Sequence, residues 1–210
     1  MRIINSWKPV CITVSAIVII VAGMALLGHN VVKPMTKDGG LIQIATVLVL
    51  CLTVGFALLR VIAKEQPVLK WVEASCILSM YAMREMDFHR IFTAEHVTRL
   101  TFYTGPFPLE EKLIGGTIML LFIAITLHFC VTNVPLLIHD LKRKVPRAWY
   151  VIVWALLLIG AQLMDTIFRL GSFIRPLTEE TMELGAAMMM VFIVLSFFSD
   201  ERRLVSRKKH

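Results

Sequence analysis

The chain has 210 residues, 57% hydrophobic and 18% charged, with a mean hydropathy of +0.74 and a formal net charge of +7. A soluble domain of this length needs a polar surface that such a composition cannot supply. No nucleic-acid partner is expected, because the basic segments are short and not interleaved with aromatic residues.

Taken in chain order, Val10–Leu27 and Leu41–Leu59 contain no charged residue, and Leu113–Ile138 carries only His128 among acidic and basic side chains. Ala148–Met164 and Leu184–Phe198 complete the apolar runs. At 1.5 Å per helical residue, runs of ~20 residues match the ~30 Å hydrocarbon core of a bilayer. A helix is the fold that satisfies every backbone group of a single run in lipid. The first run follows Arg2 and Lys8, but it is longer than a secretory h-region and lacks a clean A-x-A site, so it reads as an uncleaved signal anchor. The four cysteines (Cys11, Cys51, Cys76 and Cys130) lie within apolar helical stretches without C-x-x-C spacing, as small packing residues would.

Residues 66–91 are apolar in the middle and charged towards both ends, and Pro67 suits a first helical turn. They either cross the membrane or lie on its surface. If they cross, the N-terminus, 60–70, 139–147 and the tail after Phe198 share one side and hold 14 Lys/Arg against 8 on the other. If they do not, the two strongly basic segments HDLKRKVPR and SDERRLVSRKKH fall on opposite sides. The positive-inside rule favours crossing. The expectation is an all-α integral membrane protein in a single domain over 1–210. It is a bundle of about six transmembrane helices (about 10–28, 41–60, 67–91, 113–137, 148–167 and 180–199), multi-pass in a cell inner membrane of bacterial type. Both termini would be cytoplasmic, with the basic loops and tail against an anionic leaflet.

Charged side chains within a span are costly and mark a pathway, a site or a compensated pair. Counting along the spans places Arg84, Glu85, Asp87 and His89 near the outer end of the third, Asp165 near the outer end of the fifth, and Glu180 and Glu183 near the outer start of the sixth. Glu85 and His89 (i,i+4) share a face; so do Arg84 and Asp87, continued downward by Met80, Ile77 and Glu73. Three readings fit: an ion-pair network tying three helices together; a divalent-metal site built from Glu85, His89, Asp165 and Glu183; and a proton- or cation-coupled relay. A second polar set, Glu73 and His128, lies nearer the inner side, where the two could pair. Between the third and fourth spans, TAEHVTRL could form a short interfacial helix, and YTGPFP reads as a turn.

Phosphate-loop, nucleophile-elbow and dinucleotide motifs are absent from the sequence. The layout is similar in outline to multipass metal-dependent lipid amidases and receptors, which carry paired histidines on the final helix. No histidine occurs here between His139 and His210, so that activity does not transfer. The sequence therefore points to a non-enzymatic membrane partner or accessory subunit, or a small transporter, with another membrane protein or a second copy as partner. The alternative is a membrane-embedded metal-dependent or acid/base enzyme acting on a lipid or lipid-linked substrate.

Overall fold

The computed structural model describes residues 6–27, 29–36, 40–63, 68–86, 100–166 and 174–207. Among these the chain is all-helical, with helices α1 (Lys8–Leu27), α2 (His29–Met35), α3 (Leu41–Ile62), α4 (Val68–Glu85), α5 (Leu100–Thr104), α6 (Leu109–Lys142), α7 (Pro146–Thr166) and α8 (Ile174–Arg207). Three of them, α3, α6 and α7, are long and apolar enough to cross a membrane, as expected of a membrane protein. α1 is apolar over a shorter stretch, Lys8–Met24. Four buried hydroxyls are satisfied within their own helical turns: Thr36, Thr46, Ser75 and Thr181 each donate to the carbonyl four residues back.

α6 and α8 are longer than their apolar runs alone would make them. α6 begins with Glu110 and Glu111 in its first turn and ends with His139 and Lys142 in its last, the arrangement the helix dipole favours. It continues through Pro135. The expected turn over 103–108 is shorter than its composition suggests, because Tyr103 and Thr104 still belong to α5. The segment TAEHVTRL lies outside the described residues except for Leu100, which opens α5.

The chain divides into two compact units, residues 1–49 with 137–210, and residues 50–136. In the first unit α8 is the central helix, packed on α7 and α1. Its small residues make this possible: Gly185, Ala186 and Ala187 are all buried, and a methyl group on Gly185 would overlap the Ile17 side chain. Gly160 of α7 lies against Met182, and Leu157 of α7 against Gly185. Numbers rise along α7 as they fall along α8, so these two helices are antiparallel. At one end of the unit the Trp7 and Trp149 rings meet at 5.4 Å, and the Tyr150 hydroxyl donates to the Ser6 carbonyl at 2.6 Å. At the other end Val32, Ile42 and Leu177 form a core, with Val21, Met24 and Leu184 packed against it. α1 is therefore parallel to α7 and antiparallel to α8. Lys8, the α6–α7 turn and the C-terminal part of α8 share the tryptophan end of the unit, while α3 starts from the opposite end.

The α6–α7 turn is closed by its own backbone. Val145 N–H donates to the Asp140 carbonyl and Lys144 N–H to that of Leu141, both at 2.9 Å. Lys144 takes the left-handed conformation (φ 56°) that this helix ending requires. Pro146 then opens α7, and the Arg147 guanidinium reaches back to Asp140 at 2.5 Å.

In the second unit α5 and the turn after it are pinned to the start of α6. Phe102 is fully buried, edge-on to Tyr103 and stacked on Phe107. Lys112 Nζ donates to the Gly105 carbonyl at 2.7 Å, and the Tyr103 ring lies against Gly116.

Candidate functional site

Among the described residues of the second unit, α4 carries Lys70, Glu73, Arg84 and Glu85, and α6 carries Glu110, Glu111, Lys112 and His128. The buried α4 positions Trp71, Ser75, Leu78, Ala82 and Glu85 are spaced 4-3-4-3, the seam of a helix packed along its length. Glu73, on a different face, is buried as well, so α4 is covered on two sides. A carboxylate deep in such a helix needs a partner. Glu73 has one: the imidazole Nδ1 of His128 on α6 is hydrogen-bonded to Glu73 Oε1. The pair is asymmetric, with the Glu73 side chain 10% exposed and that of His128 55% exposed.

At the other end of α4, Arg84 is exposed while Glu85 is buried. The guanidinium lies 3.8 Å from Glu85 Oε1 and 5.8 Å from the centre of the Tyr81 ring. The shared face of Glu73, Ile77, Met80 and Arg84 expected from spacing thus runs from a buried carboxylate to an exposed guanidinium. Asp87 and His89 lie outside the described residues. Asp165 falls in the last turn of α7, and its side chain is likewise outside them. Glu180 is half-buried and Glu183 buried on α8 of the first unit, whereas Arg84 and Glu85 belong to the second. Among the described residues no three His, Cys, Asp or Glu side chains gather into a set that could hold a metal ion.

Three features were not singled out from the sequence: the Trp71–Glu85 seam, the Asp140–Arg147 pair and the Ser6–Tyr150 bond. The seam carries a heptad-like signal hidden by the unlike chemistry of its members. The Asp140–Arg147 pair is two turns apart in sequence and is brought together by the Lys144 turn. The Ser6–Tyr150 bond joins residues 144 positions apart and has no local signal.

The arrangement on α4 and α6 places one titratable group inside the chain, bonded to a second that stands partly outside it. Such a pair can hold or pass a proton, or act as an inter-helix tie. No family model matches the chain, and no curated protein or solved structure matches it.

Proposed function

We propose that this is a six-span membrane protein with both termini cytoplasmic, acting as a membrane-embedded partner or accessory subunit or as a small transporter. Chain direction supports the six spans. α3 starts from the end of the first unit that lies opposite Trp7 and Trp149, and α6 leads into α7 at the tryptophan end. If α3 and α6 each cross the bilayer, the chain must cross once more between Ile62 and Leu109. α4 is the one long helix described in that interval, and α2 and α5, at 7 and 5 residues, are too short to span. The tryptophan end also gathers Lys8, Lys142, Arg143, Lys144 and Arg147, which orients it towards the cytoplasm.

The observation that carries the functional reading is α4 itself. It is the most charged of the proposed spans, and it buries Glu73 and Glu85. Charge retained at that cost is a polar tie between helices or part of a transport path. The test is the metal content and melting temperature of the purified protein beside Glu85→Ala. The proposal expects no stoichiometric metal and a lower melting temperature in the variant. Stoichiometric metal, lost in the variant with folding intact, would contradict it and favour a metal-dependent enzyme acting on lipid.

A further inference from the structure

We infer that Glu73 and His128 form a proton-binding site in which the two side chains exchange a proton. The inference rests on the reading of α4 and α6 as membrane spans.

An imidazole has its two nitrogens on opposite edges of the ring, so the bond from Nδ1 to Glu73 directs Nε2 away from the carboxylate. The carboxylate is covered and the ring is largely uncovered. A proton coming from outside the chain therefore meets His128 first. It adds to Nε2 while the Nδ1 proton moves to Glu73 Oε1. The reverse step discharges the site. Only N–H and O–H bonds are made and broken, and no oxidant or reductant takes part.

Further polar groups stand near His128. His128, Thr132 and His139 stand at i, i+4 and i+11, one face of α6, and all three are exposed. Thr132 Oγ donates to the His128 carbonyl at 2.9 Å, and Asn133 Nδ2 lies 3.0 Å from Thr132 Oγ. Pro135 has no N–H, so the Val131 carbonyl on the same side of the helix loses its usual donor. Thr132 and the Val131 carbonyl thus put polar groups within about one turn of His128, and Pro135 and Leu136 separate them from the His139–Lys142 end. That end of α6 is the one leading to the Trp7–Trp149 cluster, which the charge distribution assigns to the cytoplasm. Of the other charged groups, Lys70 is one turn from Glu73 on α4 and Arg60 lies at the corresponding end of α3. α6 has no acidic or basic side chain but His128 between Lys112 and His139. The Arg60 guanidinium lies over the Phe56 ring of its own helix.

The experiment is infrared difference spectroscopy of the full-length protein in lipid nanodiscs, stepped from alkaline to acidic pH. The expected result is a protonated-carboxyl band that rises on acidification, disappears in Glu73→Gln and changes frequency in His128→Gln. Glu73→Asp, which keeps the carboxyl, should restore a shifted band, and it guards against a fold lost through the amide. A wild-type spectrum without a titrating carboxyl, or a band left unchanged in Glu73→Gln, overturns the inference. A band unmoved in His128→Gln, with only the melting temperature lowered, also overturns it and reduces the pair to a structural bond. The spectra do not depend on which side each loop occupies. Their failure would leave the six-span reading in place, and misplaced loops would leave the carboxyl band in place.

Discussion

α4 and α6 divide the work of the second unit in a way opposite to their sequences. α6 is 34 residues long and has a long apolar middle, yet only 6% of its apolar window is buried. Leu120, Leu121 and Val131 are among its most exposed side chains. α4 has 18 residues, carries Lys70, Glu73, Arg84 and Glu85, and buries six positions. In water this would be inverted, because apolar surface drives burial there. In a bilayer the lipid tails solvate leucine as well as a protein interior does, and charge must be kept from them. The carboxylates of α4 are covered, and the apolar middle of α6 faces out. α8 repeats the α4 solution in the first unit, burying Glu183 beside Gly185, Ala186 and Ala187.

If this contrast is right, side-chain truncation should cost stability on α4 and little on the outer face of α6. The largest effect is expected for Trp71→Ala, which removes a ring 4% exposed and should lower unfolding free energy by about 3–5 kcal/mol. Leu120→Ala, at a residue 70% exposed, should change it by less than about 0.5 kcal/mol. Both can be read by circular dichroism during denaturation in mixed micelles, and equal losses would break the comparison.

Removing His128 should leave Glu73 buried without its donor, at about 1–3 kcal/mol. Glu73→Gln in the same background should recover part of that loss, and simple additivity of the two changes would mean that the pair does not couple. On the covered helix of the first unit, Gly185→Leu must push Ile17 and Leu157 aside. A cost of about 1–3 kcal/mol is expected from overpacking, and an unchanged denaturation midpoint would place α1 farther from α8 than described. The smallest effect is a gain. Lys144→Gly removes the strain of a side chain at φ 56° and should stabilise the α6–α7 turn by up to about 1 kcal/mol.

Much of the helical skeleton is legible in composition alone, because an apolar run of span length has few other fates. α3 begins at Leu41, where the apolar run begins. Helix ends were less legible: α8 was expected to start at 180 and starts at Ile174, where Arg175 and Glu179 extend it beyond the apolar stretch. Counting residues gives expected depth and not azimuth. Counting residues put Glu73 and His128 towards the inner side, but only packing determines that α4 turns Glu73 towards α6. The same limit applies to Arg84 and Glu85, neighbours at one depth that end up exposed and buried respectively. Closures such as Asp140–Arg147 depend on one left-handed residue, and lysine gives no sign of it in sequence.

The central claim is that α4 crosses the membrane, carrying its charges through protein rather than lying on the surface. Site-directed labelling with a membrane-impermeant thiol reagent tests it most directly, in a background lacking Cys11, Cys51, Cys76 and Cys130. Single cysteines would be placed at Glu65, Gly105 and Lys144 and probed in intact and permeabilised cells. The account predicts that positions 65 and 144 are labelled only after permeabilisation and position 105 in intact cells. Labelling of 65 and 105 from the same side would contradict it and return α4 to the membrane surface.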